Sequence, residues 1–413
     1  MASNQPSIPA VPGRSCFRTL RALAVSALAC FGLLAACADG EATPEGADVG
    51  PEGAAVEAAF EIWAMDQGTH IIHIFDPEFN ETATIDLGAR GAEVPHMIEF
   101  TSDHRYAFVA NPATGNTAVI RAQDREVVAL LDTGPRTHHA AVAPDDRRVL
   151  VSVIGAGDVA WDGKLVEIEV DLENEFFTLG RELLVAEDPL FAERSDDFLE
   201  TGGAVCMDFT ADGRIGYVTL GPGLDEGGVV VVDLESMELI EVFGPDEVRA
   251  NCGTILSPDG GHMYLVGGDA DVGVWYAVDT DTHTPVHQGE SHGHDAHGSW
   301  VTPDGSEYWL VNRVTSNAVI IDTRTHEVIE EIEWVGKTPD IVSMSPDGRH
   351  AYITLRGPNP VTMPHVAVGE TPGFSVFDIA TREKLRLVEP ARGNPASDFH
   401  GIAVRLLGAN GPR

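Results

Sequence analysis

Four histidines, His96, His138, His297 and His400, occupy one and the same place in a repeated pattern, at the start of an apolar stretch that leads into a tight turn. The same place in the other repeats carries Val205, Cys252 and Asp340. The chain holds only 16 histidines among 413 residues, so four at a single repeat position is far from an even scatter. Imidazole, thiol and carboxylate groups converging on one point are the donors of a site for copper, zinc or iron, with Asp340 also suited to orient an imidazole by accepting its N–H. A polar residue at this place can also simply hold a channel water or the neighbouring repeat. Repetition of one residue type in four repeats goes beyond a general need for polarity. Further donors lie close by in sequence: His139 after His138, Cys206 beside Val205, His292 and His294 in SHGHDAH, and Met363 and His365 in VTMPHV. A lone loop histidine is ordinarily a solvated polar residue, and His139, one step along a strand, faces away from His138.

The element that must position these side chains is displayed by Thr302 to Ile329, TPDGSEYWLVNRVTSNAVIIDTRTHEVI. Pro303-Asp304-Gly305 supplies a tight turn, Tyr308 to Val311 a strand, Thr315 to Asn317 a second turn and Ala318 to Ile321 another strand. Copies of its opening begin at Thr101, Ala143, Thr210, Ser257 and Ser345, so the six copies are separated by 42, 67, 47, 45 and 43 residues. That period predicts four-stranded blades, each unable to bury both faces alone, packed into a ring. A seventh blade is expected from the two ends. Asp398 to Leu406 (DFHGIAVRL) matches the strand before each turn, as in DAHGSWV at 295–301, and would pair with Phe60 to Met65, followed by Ile71 to Phe75 and Thr82 to Leu87. The expected fold is therefore all-β, a seven-bladed β-propeller over 59–407 with a short tail at 408–413. Equivalent positions in a propeller encircle its axis, so the ring residues should meet at one mouth of the channel. The long connections, 155–164, 184–203, 282–295 and 356–373, all return to that mouth, as functional loops do on a rigid scaffold.

Acidic residues outnumber basic ones by 65 to 26, for a formal charge of -39, which excludes nucleic acid and anionic lipid surfaces as partners. Residues 1–36 carry Arg14, Arg18 and Arg21 ahead of an uncharged apolar run, the pattern of a secretory leader. Its end, Leu34-Ala35-Ala36-Cys37, resembles the lipobox of bacterial lipoproteins. The resemblance implies cleavage before Cys37, lipidation of that cysteine as the only membrane contact, and a place in the bacterial cell envelope facing the periplasm or the cell surface. Residues 37–58, rich in Gly, Ala, Glu and Pro, read as an acidic flexible tether. Only Cys206 and Cys252 then remain in the body, enough for one bond at most and no disulfide framework.

The copies SPDGRHAYITL and TPDGSEYWLVN resemble the YVTN-type propeller repeat family over roughly residues 60 to 405. The histidines leading the inner strands, with the adjacent pair His138-His139, are similar to those of the copper-site propeller of nitrous oxide reductase. That resemblance implies copper, held by His96, His138, His297, His400 and Cys252, with His139, Cys206, Asp340, His292, His294, Met363 and His365 as additional or supporting groups. The histidines are too few for that family's full cluster, and no cysteine-rich copper domain follows, so nitrous oxide reduction itself is not implied. The sequence leaves three readings open: a copper-dependent oxidoreductase or copper carrier with a redox or copper-transfer protein partner; a metal-free binding module for a protein, glycan or haem-like ligand; and a lactonase-like hydrolase using Glu290 or Asp295 as general base near His297.

Overall fold

The structure is a computed structural model that describes residues 59–157, 162–198, 203–221, 227–268, 271–364 and 366–408. The leader, the tether, Cys37 and His365 lie outside the described residues. The described chain forms seven four-stranded antiparallel sheets, and its one α-helix is the single turn Pro189–Ala192. The innermost strands are Met97–Phe100, Thr137–Val142, Gly203–Phe209, Ala250–Leu256, Ala296–Val301, Pro339–Met344 and Phe399–Leu406. In six sheets the four strands follow one another in the chain. In the seventh, Phe399–Leu406 pairs antiparallel with Phe60–Asp66, which continues to Ile71–Phe75 and Glu81–Asp86. One connection expected as loop, 282–295, instead contains the outer strand Thr284–Glu290, whose alternating burial explains why it reads as polar. No helix of the described residues is long and apolar enough to cross a membrane.

Local chemistry explains the repeat. In the turn after Ala296–Val301, Asp304 accepts hydrogen bonds from Thr302 Oγ1 (2.7 Å) and Ser306 N (3.0 Å), while Gly305 adopts φ 74°. Asp103, Asp212, Asp259 and Asp347 accept the same hydroxyl bond in their own turns, so Thr/Ser-x-Asp presets the hairpin that a left-handed third position then closes. The second strands, such as Tyr106–Asn111 and Glu307–Asn312, are buried on both faces because each sheet is covered by its neighbours. Rings fill the gaps between blades: Trp63 packs edge-on to Phe100 at 5.3 Å, Tyr264 stacks on Tyr308 at 4.5 Å, and Phe75 meets Phe374 at 5.3 Å. The outermost strands, such as Val328–Ile332, are mostly exposed and carry the charge.

Candidate metal centre

In six of the seven blades the register between the innermost and second strands slips at the ring position: at 64/66, 137/139, 204/207, 250/254, 296/299 and 339/342. A bulge re-aims the residue it contains, and here it frees His138, Val205, Cys252, His297, Asp340 and His400 from the pleat. Close approach of neighbouring inner strands needs glycine beside the ring. A methyl group at Gly298 would overlap the Asp340 carbonyl, and one at Gly401 would overlap Met65 and crowd the His96 carbonyl.

All four ring histidines are buried, at 2–9 % exposure, and gather into one cluster. His96 stacks on His400 with centroids 3.6 Å apart, lies 4.5 Å from His138, and His400 meets His297 at 5.7 Å. Each Nδ1 faces an acceptor: Val205 O for His138 (3.1 Å), Asp340 O for His297 (3.1 Å), and His96 O for His400 (3.0 Å). His96 Nδ1 lies 2.9 Å from Gln67 Oε1. The Gln67 amide is oriented because its Nε2 donates to the Asp398 carboxylate at 2.9 Å, so the oxygen faces His96, and His96 Nδ1 is the donor. With the Nδ1 protons so assigned, neutral His96 and His138 both direct Nε2 lone pairs inward, and these two nitrogens are 3.0 Å apart. Two facing lone pairs at this distance repel each other, and a metal ion close to both would relieve that repulsion.

The electrostatics separate the histidines. Burial, reinforced by the neighbouring ring histidines, holds His96 well below its ordinary value; burial does the same to His400 against the pull of Asp340, and it lowers His138 to about 3. His297 goes the other way. Burial and Arg313 oppose its protonation, but the Cys252 sulfur and the Asp340 carboxylate outweigh them and raise it to about 10. Burial keeps Cys252 a thiol, so Asp340 is the partner that carries this shift. Asp340 Oδ1 lies 2.9 Å from His297 Nδ1 and 3.7 Å from Arg313 Nη1 yet receives no well-directed hydrogen bond in its buried position. Ligand atoms of His297, Asp340 and His400 all lie within 4.8 Å of one another.

Around the ring stands a second set of side chains that the repeat pattern left unremarked. Arg356 is fully buried, with Nη1 on Asp340 Oδ2 (2.8 Å) and Nε and Nη2 on Asp398 (2.8 Å each). Arg313 holds Asp295 through Nε (2.7 Å) and Nη2 (3.1 Å). Arg313 and Arg356 follow their second strands at one common register, eleven residues after the first residue of a turn copy and shared with Pro112 and Ile154, and Gln67 takes the matching place after Phe60–Asp66. The three carboxylates Asp295, Asp340 and Asp398 face two guanidiniums and the His297 imidazolium, so the buried charges balance.

A cavity of about 330 Å³ opens above this cluster and is lined by His96, His138, Val205, Cys252, His297, Arg313, Met363 and His400. Several expected donors are elsewhere. His139 points between blades, with Nε2 on Glu99 (2.9 Å) and Nδ1 accepting from Met207 N (3.2 Å), so the alternation of the strand removes it from the ring. His292 is exposed beside Glu331, and His294 does not reach the cavity. Cys206 is buried behind the wall, and both body cysteines are free thiols. The proposed hydrolytic bases fare no better: Glu290 is exposed on an outer strand, and Asp295 is committed to Arg313. The lactonase reading therefore loses its base.

No protein-family model matches the sequence, and no curated protein does. Similarity appears among solved structures. Dihydro-heme d1 dehydrogenase NirN in complex with DHE shares 17% identity over 83% of this chain and 74% of that one, with a TM-score of 0.53. Hydrazine synthase of Kuenenia stuttgartiensis shares 16% over 75% and 86%, at 0.50. The Cps50 (Swd1) β-propeller domain of Myceliophteria thermophila shares 10% over 73% and 94%, at 0.52. At these identities the likeness establishes the seven-bladed propeller and nothing about ligands.

Proposed function

We propose that the axial cavity binds a copper ion and that the protein is a copper-dependent oxidoreductase or copper carrier of the cell envelope. The observation that carries this reading is the pair of inward Nε2 atoms, 3.0 Å apart, whose Nδ1 protons are already spent on Gln67 and Val205. His400 lines the same cavity and groups its ligand atom with those of His297 and Asp340, while Cys252 and Met363 are the remaining donors on the cavity wall. Imidazole with nearby thiol and thioether suits copper better than magnesium or calcium, and affinity order favours copper over zinc at such donors. The Nδ1 contacts supply the outer support that fixes ring orientation in metal sites. When bound, the ion would supply redox or Lewis-acid chemistry; the protein's part is to hold neutral imidazoles in a dry, shaped cavity. Lipidation at Cys37 would place this site at the membrane surface, with a redox or copper-transfer protein as partner.

Elemental analysis of protein purified from copper-supplemented medium tests the reading. Near-stoichiometric copper is expected, with loss of nearly all of it in a His96→Ala, His138→Ala variant that keeps its far-ultraviolet circular dichroism. Undiminished copper in that variant, or none in the parent, would refute the assignment. A haem-like ligand is the second reading, supported by the NirN likeness at the level of fold. The cavity of about 330 Å³ stands at the small end of ligand pockets, which favours an ion plus a small molecule over a macrocycle. A tetrapyrrole absorption spectrum in the purified protein would reverse that preference.

A further inference from the structure

Above the histidines, the walls of the cavity are apolar: Val94, Pro112, Ala113, Ile154, Val361 and Met363. Among this surface stands Arg136, two residues before His138. Its Nε donates to the carbonyl of Gly155, which fixes the plane of the guanidinium. The backbone of Gly157 lies so close that a methyl group there would sit 3.3 Å from Arg136 Nη2. No carboxylate of the described residues lies within ion-pair distance of Arg136, whereas Arg313, the other guanidinium on the cavity wall, is spent on Asp295 and Asp340. Of the two acids in this loop, Asp158 lies outside the described residues and Asp162 gives its oxygens to the amides of Ala156 and Gly157. Arg136 also adopts φ 56°, a left-handed conformation that costs energy in a non-glycine residue and is tolerated where the surroundings impose it. In a chain with 65 acidic and 26 basic residues, a fixed guanidinium beside an apolar cavity with no carboxylate partner among the described residues calls for a ligand.

We infer that the cavity is the binding site of a small apolar monocarboxylate, its carboxylate paired with Arg136 and its hydrocarbon body packed between Ile154, Val94 and Met363. This deepens the metal-centre reading by naming the class of molecule that shares the cavity with the ion. The physical case is geometric. A planar guanidinium offers two parallel N–H donors that match a carboxylate, and the pair strengthens where apolar walls keep water away. The overall charge of -39 repels multiply charged anions, so a single negative charge on a hydrophobic body fits better than phosphate or a dicarboxylate. A cavity of about 330 Å³ limits that body to the size of a ring or a short chain.

The test uses the full chain, stripped of metal by chelation, so that its outcome does not depend on copper. Benzoate, phenylacetate and hexanoate are titrated calorimetrically against benzamide, phenylacetamide and hexanamide, their uncharged counterparts. At least one acid should bind about 10-fold or more tightly than its amide, a preference of the size expected for one charge-assisted pair. Arg136→Gln should erase the preference, and Arg136→Lys should restore part of it, while the copper content of loaded protein stays unchanged in both. Equal binding of acid and amide, a preference that survives in Arg136→Gln, or no binding of any of the three acids at millimolar concentration would each overturn the inference. Copper loading measured in parallel reports separately on the metal centre.

Discussion

His138 and His297 occupy equivalent places and have opposite proton affinities, and the difference lies in what surrounds each ring. His138 donates Nδ1 to a neutral carbonyl and is otherwise desolvated, so it holds no proton until about pH 3, against an ordinary 6.5. In metal-free protein the unfolded chain therefore binds more protons than the fold between these values. Stability from His138 is complete above about 6.5 and lost on acidification, at about 1.4 kcal/mol per pH unit in the steep part. His96 and His400 shift in the same direction. His297, raised to about 10, contributes the opposite slope: its stabilisation is present below 6.5 and fades as pH rises toward 10. Denaturant titrations across pH should show the acid limb, and His138→Gln should flatten it; an unchanged limb would show that this imidazole is not buried neutral. Because His297 enters as imidazolium, copper binding at its Nε2 at pH 7 should release at least one proton per ion, measurable in weakly buffered solution. Binding without proton release would place the ion away from His297.

At the scale of the element, the site depends on bulges and on small residues beside them. Gly298 follows His297 and lies against the Asp340 carbonyl that accepts the His297 Nδ1 proton. Gly298→Ala should push the two inner strands apart, cost about 1–3 kcal/mol as other overpacked sites do, and weaken copper retention more than Gly393→Ala, where nothing lies within 4 Å and only the turn is strained. Equal copper retention in the two variants would mean that strand spacing does not set the site. Arg356 ties two neighbouring blades together by holding Asp340 of its own blade and Asp398 of the next, and it also donates to Thr362. Arg356→Met leaves both carboxylates buried without their partner, and a loss of about 3–5 kcal/mol in urea unfolding is expected. A loss under about 1 kcal/mol would mean that water reaches these acids readily.

For the whole molecule, the charge of -39 is distributed over outer strands and loops while the core between blades is apolar. Such a surface repels itself, and salt screens that repulsion over about 10 Å at 0.1 M. Raising sodium chloride from about 0.01 to 0.5 M should raise the thermal unfolding midpoint, in a range where a Debye length shrinks below the spacing of surface charges. A falling midpoint would mean that ion pairs such as Arg121 with Glu175 and Asp124 outweigh the net repulsion.

The sequence by itself determined the blade period, the all-β class and the shared position of His96, His138, His297 and His400, because a turn that needs Asp and Gly at set places and a strand of alternating burial leave a local trace in every copy. It also placed His139 on the far side of its strand by simple alternation. What it could not supply was the direction of each proton. Gln67 meets Asp398 across 331 residues and His96 across 29, and nothing local marks a glutamine as the acceptor for His96 or an aspartate as the partner of His297. His292 and His294 stand beside His297 in the sequence, but a sequence has no axis to show that neither reaches the cavity. Only the closed tertiary arrangement decides which nitrogens face each other at 3.0 Å, since that distance comes from the curvature of seven packed sheets and not from any one of them.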